Sequence, residues 1–286
     1  MSRIMIIDSN ALGHVVKHST KELSWRGDKT GVIYGFLQKL FKIQSDVNAD
    51  QVIFCWDAIK DTLFRKEIFP DYKKQDKEPS QLDKELDRIA RPQFIVLRTE
   101  VLPAMGFANN LIMTGLEADD IIAQLVLQYK RMNDFVIVSR DNDLHQLLEE
   151  DKVTLFDPVK MGYFTEKIFR EKWGIEPKDW EQVKAIAGCA GDGVPGVPGV
   201  KEKTAIKFLK GETNPDTKAH QNILLMEEQC IFNIRLVKIP WEGTPSFDIF
   251  FDDIDVNGFI DICKKYGLNS FLEGGKVEEF SALFRR

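Results

Sequence analysis

Short apolar runs punctuate the first half of the chain: RIMII at 3–7, QVIFCW at 51–56 and FVIVS at 135–139. None alternates with polar residues, so each predicts a strand buried on both faces, as in a parallel sheet. Between them, residues 31–43 carry apolar side chains at helical spacing. Residues 117–132 (EADDIIAQLVLQYKRM) place Ile121, Leu125, Gln128 and Met132 near one face, with Ile122 and Val126 beside it. Strand and helix patterns in alternation predict an α/β fold with a mostly parallel sheet and helices on both faces.

The pattern changes from 59 to 92. This stretch is dense in Lys and Arg, holds aromatics at Phe64, Phe69 and Tyr72, and has little core periodicity after Tyr72. It predicts an excursion from the sheet; a solvated pair of surface helices is the other reading. Beyond 158 the strand patterns mostly stop. Residues 167–173 and 177–187 read as helices. GCAGDGVPGVPGV at 188–200 reads as successive tight turns, and 201–210 as a basic helix. The tail is helical in pieces, at 221–236, 256–266 and 276–285, and no internal repeat is present.

The three apolar runs end alike. The first leads into Asp8, the second into Asp57, and the third, after Arg140, into Asp141 and Asp143. Open α/β sheets bind ligands at the carboxyl ends of their strands. The helix start adds Glu117, Asp119 and Asp120, with Glu117 and Asp120 three apart on one face. Each acid alone has an ordinary explanation, a helix cap or a solvated turn. Together they predict seven carboxylates converging on one sheet edge, where mutual repulsion and desolvation call for divalent cations. Oxygen ligands suit Mg²⁺ or Mn²⁺ rather than Zn²⁺. Two such ions ~4 Å apart clamp the attacking and leaving oxygens of a phosphodiester.

With 286 residues, 43% hydrophobic and 29% charged, the composition is globular and excludes general disorder. No apolar run approaches the ~18 residues of a membrane span, and Asp8 interrupts any secretory core. Four cysteines without CxxC pairing point to a reducing, cytoplasmic setting. A net charge of −6 and pI of about 5.4 argue at first sight against nucleic acid. Setting aside Asp8, Asp57, Glu117, Asp119, Asp120, Asp141, Asp143 and Asp192, however, leaves +2, which a phosphate backbone tolerates. The turns at 191–200 present backbone N–H groups and run into a helix start, two features that attract phosphate. Lys201, Lys203, Lys207 and Lys210 against Glu202 give a local +3. This element is expected to dock on a duplex backbone without reading sequence.

The motifs resemble those of the 5′-nuclease or flap-endonuclease superfamily, particularly free-standing phage and bacterial 5′→3′ exonucleases. The similar pieces are IIDSN around Asp8, Asp57 through FRKEIFPDYKK, GLEADDIIA at 115–123, VSRDNDLHQL at 138–147 and GDGVPGVPGVKEKTA at 191–205. They stand in the family's order across residues 3–210. The resemblance implies a PIN-like nuclease domain over 1–157 with a helical arch at about 59–92. A helical region over 158–286 would contain a helix–three-turn–helix at about 177–210. It implies two-metal hydrolysis near 5′ ends of flapped, nicked or duplex DNA, with RNA primers in RNA–DNA hybrids a further substrate, by a cytoplasmic monomer acting in replication and repair.

The resemblance also assigns roles. Asp8, Asp57, Glu117 and Asp119 match ligands of a first Mg²⁺, with Asp120 nearby. Asp141, Asp143 and Asp192 match a second, and Mn²⁺ could serve. K⁺ at the helix–three-turn–helix fits the same pattern. Lys73 matches an arch lysine that steadies developing charge at the scissile phosphate. Arg65, Tyr72 and Lys74 line the arch. Gly196, Gly199, Lys201, Lys203 and Thr204 line the duplex dock.

Three departures stand out. Cys189 replaces the Asp usual three residues before Asp192. Gln75-Asp76 follows the YK pair where a basic residue is usual, with Lys74 or Lys77 as substitutes. Lys201 replaces a hairpin glycine. A thiol is a poor match for Mg²⁺, so Cys189 leaves an alternative: a structure-specific DNA-binding protein with weak or no catalysis. A PIN-type ribonuclease is disfavoured, because cutting single-stranded RNA needs no duplex dock.

Overall fold

The computed structural model describes residues 2–74 and 80–284. The three apolar runs form the centre of a six-stranded sheet. β1 (Ser2–Asp8) lies between β4 (Gln51–Cys55) and β6 (Asn133–Val138), parallel to both. β2 (Ser24–Trp25) and β3 (Asp28–Lys29) form a separate small hairpin. β5 (Asn110–Leu111) and β7 (Val153–Asp157) extend the parallel sheet, and β8 (Gly162–Phe164) closes one edge antiparallel, giving the order β5-β4-β1-β6-β7-β8. The predicted α/β sheet is therefore present. β5, β7 and β8 were not foreseen, and β8 lies beyond the expected 157/158 boundary.

Alternate residues of each strand feed two cores. Met5, Ile7, Val52, Phe54, Val136 and Val138 face one layer, built from the helices Ser9–Lys17, Gly31–Val47 and Gln81–Val96. The late helices Val256–Tyr266 and Lys276–Phe284 join this layer through Phe259, Ile262, Phe280 and Phe284, so the tail completes the first core. Ile4, Ile6, Ile53, Cys55, Phe135 and Ile137 face the other layer. It contains the helices Ala118–Tyr129, Trp180–Ala187 and Glu202–Leu209. The expected stretch 221–236 is two helices, Lys218–Leu225 and Glu227–Val237. Met132 lies past the end of Ala118–Tyr129 and is exposed.

The charged excursion is only partly what its composition suggested. Gln81–Val96 is a core helix: Leu86, Ala90, Gln93 and Phe94 are buried, and Lys17 binds Asp87 at 2.6 Å. Its apolar face was hidden in the sequence by the charges around it. Gln75-Asp76, which departs from the family's pattern, and Lys77, one of its two expected substitutes, lie outside the described residues. No helix among the described residues is long and apolar enough to cross a membrane.

Candidate active site

Parallel strands bring the acids to one edge. Asp8 ends β1, in register with Cys55, so Asp57 lies two residues past the end of the neighbouring strand. Asp8 also caps the next helix: one carboxylate oxygen accepts the Ala11 N–H at 3.0 Å and the other the Ser139 hydroxyl at 2.9 Å. Ser139 in turn accepts the Asp141 N–H at 3.1 Å, tying the ends of β1 and β6 together. Asp57 accepts the Ala118 N–H at 2.9 Å, and its own N–H donates to Asn10 at 3.1 Å. Ser139 and Asn10 were missed in the sequence because they carry no charge.

Burial, and then repulsion by Asp57, push the Asp8 carboxyl up to about 7. Burial also raises Asp57, although the Ala118 N–H and Lys73 oppose the rise. Asp119 stands well above the usual carboxylate range through burial and then the charges of Asp141, Asp8, Glu117 and Asp57. These charges make Asp8, Asp57, Glu117 and Asp141 near neighbours of Asp119 at the sheet edge. Such a set of crowded hard oxygens fits a divalent cation of the Mg²⁺ or Mn²⁺ kind.

A second group adjoins the first. Ligand atoms of Asp143, Cys189 and Asp192 lie within 4.8 Å of one another. Burial, then the carboxylates around it, raise Asp192 to about 6 against the pull of Lys73, and burial pushes the Cys189 thiol up to about 12. Lys184, on Trp180–Ala187, lies 2.8 Å from Asp143 and hydrogen-bonds Cys189. Nothing in the sequence singles out Lys184 from other helix charges. This donor set accepts a cation less readily than three carboxylates, because one donor is a thiol and an ammonium already neutralises part of the charge.

Lys73 joins the two groups. Its backbone is left-handed, with φ 54°, and its N–H donates to the Asp192 carbonyl at 2.7 Å. Its ammonium bonds Glu117 Oε1 and lies 3.6 Å from Asp192. Burial alone would favour the neutral amine, but Glu117 and Asp192 hold it charged.

Three expected roles need correction. Asp120 is fully buried, and both its oxygens are occupied: Oδ2 by Arg65 Nη1 and the Glu117 N–H, Oδ1 by Arg65 Nη2 and the Trp241 N–H. No lone pair is left for a metal. Arg65 is 3% exposed and committed to Asp120, so it cannot line an arch that touches DNA. Tyr72, also 3% exposed, donates its hydroxyl to Glu117 Oε2 at 2.8 Å rather than presenting a ring to a base. Lys74 is exposed and pairs with Asp71 at 2.9 Å.

The glycine–proline element packs beside this site. Gly196 is half-buried, and a Cβ there would meet the Ala187 carbonyl oxygen at 2.0 Å, so its glycine serves close backbone packing rather than a ligand. Gly199, with φ 78°, opens onto solvent. Gly199, Lys201, Lys203 and Thr204 line an open pocket of about 540 Å³ with Trp173, Val200 and Glu202. Lys201 and Lys203 are exposed beside the start of the helix Glu202–Leu209.

Residues 3–174 match the family described as 5′-3′ exonuclease, N-terminal resolvase-like domain. The chain belongs to this family. Its relatives include a 5′-3′ exonuclease of Aquifex aeolicus, 34% identical over 213 residues, covering 73% of this chain and 70% of the relative. A 5′-3′ exonuclease of Buchnera aphidicola is 30% identical over 219 residues, covering 74% and 71%. The thermostable DNA polymerase I of Thermus aquaticus is 33% identical over 211 residues, 73% of this chain but only 24% of the polymerase. The chain thus spans about a quarter of the polymerases it matches. Among solved structures, T5 5′-exonuclease with bound zinc superposes with a TM-score of 0.71 at 22% identity, over 83% of this chain and 90% of that one. A T5 flap endonuclease in a pseudo-enzyme-product complex with DNA and metal ions gives 0.72 at 19%, over 98% of both. These likenesses establish the PIN-like α/β fold.

The raised carboxyl groups carry a pH dependence. A carboxyl whose pKa is higher folded than unfolded makes the metal-free fold less stable as pH rises, between its unfolded pKa and its folded pKa. For Asp8 the loss runs from about 4 to about 7. Cation binding removes that repulsion and displaces protons. The melting-temperature increment added by Mg²⁺ over EDTA is therefore expected to grow from about pH 5.5 to about pH 8. The increment is the right measurement because His14 and His145, whose pKa values burial lowers, act with opposite sign in both conditions. An increment independent of pH would contradict the assignment.

Proposed function

We propose that this protein is a metal-dependent 5′→3′ exonuclease and flap endonuclease, hydrolysing phosphodiesters near 5′ ends of nicked, flapped or duplex DNA and of RNA paired to DNA. The observation that carries this reading is geometric: Asp8 and Asp57 stand at the ends of adjacent parallel strands, and Asp57 accepts the Ala118 N–H at the head of the helix that Glu117 caps and whose first turn holds Asp119. The relatives named 5′-3′ exonuclease support it. Asp8, Asp57, Glu117 and Asp119 would hold one divalent cation, and Asp141, Asp143 and Asp192 a second. Bound there, such ions would supply charge neutralisation at the phosphate and acidify a water. K⁺ at the helix–three-turn–helix is the further cation this reading includes.

The chain's own groups do the rest. Ser139 and the Ala11 N–H fix the Asp8 carboxylate, and the Ala118 N–H fixes Asp57, so neither reorganises as charge develops. Lys73 holds its proton and offers a fixed positive charge to the phosphoryl oxygens. Lys201, Lys203 and Thr204, at the start of the helix Glu202–Leu209, would seat the duplex backbone and set which bond reaches the acids.

A 5′-labelled flap incubated with Mg²⁺ and then Mn²⁺ tests this reading directly. Short labelled products identify cleavage, its polarity and its position. A shifted band that yields no product over a long incubation would instead favour the second reading, DNA binding without catalysis, which rests on Cys189 and Lys184. Changing Cys189 to Asp supplies a third carboxylate opposite Lys184. It is expected to lower the Mg²⁺ needed for half-maximal rate by ~10-fold and to narrow the advantage of Mn²⁺. An unchanged metal titration would place Cys189 outside the cation's surroundings.

A further inference from the structure

The segment after Glu227–Val237 reaches back to the acid cluster through one buried guanidinium. Arg65 has five N–H donors, and all are paired: Nε with the Leu236 carbonyl at 2.8 Å, Nη1 with Glu117 Oε2 at 3.2 Å and Asp120 Oδ2 at 2.6 Å, Nη2 with Asp120 Oδ1 at 2.8 Å and the Lys238 carbonyl at 3.1 Å. The Trp241 ring covers the guanidinium at 5.3 Å while the Tyr72 ring lies at 5.8 Å. The Trp241 N–H completes the set by donating to Asp120 Oδ1 at 2.8 Å.

This arrangement determines what Glu117 can do. Arg65 and Tyr72 both bind Oε2, which leaves Oε1 turned to Lys73 and the cleft. Without the ring over Arg65, the guanidinium gains solvent and freedom, and Oε2 loses the donor that fixes the rotamer. We propose that Trp241 is a positioning residue: through Arg65 it locks Glu117 with Oε1 facing the cleft, so that the tail sets how tightly the acid cluster holds a divalent cation. The proposal rests on the nuclease reading above and concerns residues after 210, which that reading leaves without a role.

The test uses the full chain and two readouts, Mn²⁺ binding followed by electron paramagnetic resonance without DNA, and steady-state cleavage of a 5′ flap. Trp241→Leu keeps apolar bulk but removes the aromatic face; Trp241→Phe keeps a face. The Leu variant is expected to bind Mn²⁺ ~10-fold more weakly and to lose kcat by a similar factor, with KM for DNA within ~2-fold of the parent. The Phe variant restores both. A Leu variant that melts lower yet binds Mn²⁺ and cuts as the parent does overturns the proposal, leaving Trp241 a packing residue only. Should the Leu variant not fold, Asp120→Asn takes its place. It keeps the shape, removes the charge that anchors Arg65, and is expected to weaken Mn²⁺ binding equally; unchanged binding overturns the lock. A parent protein that binds no Mn²⁺ takes down the nuclease reading as well, whereas parent and variant binding alike take down the lock alone.

Discussion

Replacing Asp119 by Ala is expected to reduce cleavage of a 5′ flap by more than ~10²-fold, beyond what loss of an outer partner of a metal ligand costs, while DNA binding stays measurable. Asp119 feels the charges of Asp141, Asp8, Glu117 and Asp57 together, so its carboxylate lies among the others. Among the described residues it accepts no hydrogen bond that organises the fold, whereas Asp8 caps a helix and Asp57 holds the Ala118 N–H. Its removal should therefore spare the architecture. In the metal-free protein it should even stabilise, since one of several repelling charges disappears. The expected signature is a variant that melts at or above the parent temperature in EDTA, gains less from Mg²⁺, still shifts a flap on a gel and yields no product. The proposed dock of Lys201, Lys203 and Thr204 lies on a separate element, which is why binding is expected to survive. A variant that cuts at the parental rate would remove Asp119 from the site.

The sheet and its acidic edge were legible in the sequence because both are one-dimensional signals. A strand buried on both faces needs an unbroken apolar run, and β1, β4 and β6 have one each. A parallel sheet places the residue after each run at the same edge. β5, two residues long, gives no such run, and Gln81–Val96 hides four buried positions among charges. The misread residues share another cause. Arg65 lies in a basic, aromatic stretch and so reads as a nucleic-acid contact. Its actual partners, Asp120, Glu117 and the carbonyls of Leu236 and Lys238, are 52 to 173 positions away. The same distance hides Asp120, which looks like one more acid at a helix start until its lone pairs are counted. Lys184 and Trp241 are ordinary letters in helical and loop stretches, and only the packing of distant elements gives them roles. Charge type can be read from a sequence, but whether a charge is already spent on a partner cannot.

Lys73→Ala separates charge stabilisation from metal binding, because the two should move in opposite directions. Its ammonium bonds Glu117 Oε1 and lies 3.6 Å from Asp192, so in the metal-free protein it offsets carboxylate charge that a cation would otherwise neutralise. Deleting it frees both carboxylates, and Mg²⁺ or Mn²⁺ should bind as tightly as in the parent or more tightly. Cleavage should nonetheless fall by ~10² to ~10³-fold in kcat, the usual loss when one preorganised donor to a developing oxyanion is removed. The backbone argues against a trivial cause. Lys73 sits at φ 54°, its N–H is held by the Asp192 carbonyl at 2.7 Å, and Tyr72 beside it is anchored to Glu117 at 2.8 Å. The loop is thus kept by main-chain and neighbouring contacts that truncation leaves in place. Lys73→Arg keeps a charge but replaces a compact ammonium with a wide planar fork, and recovers only part of the rate. If the Ala variant loses Mn²⁺ affinity in proportion to kcat, Lys73 acts by holding the acid cluster together rather than by meeting the phosphate.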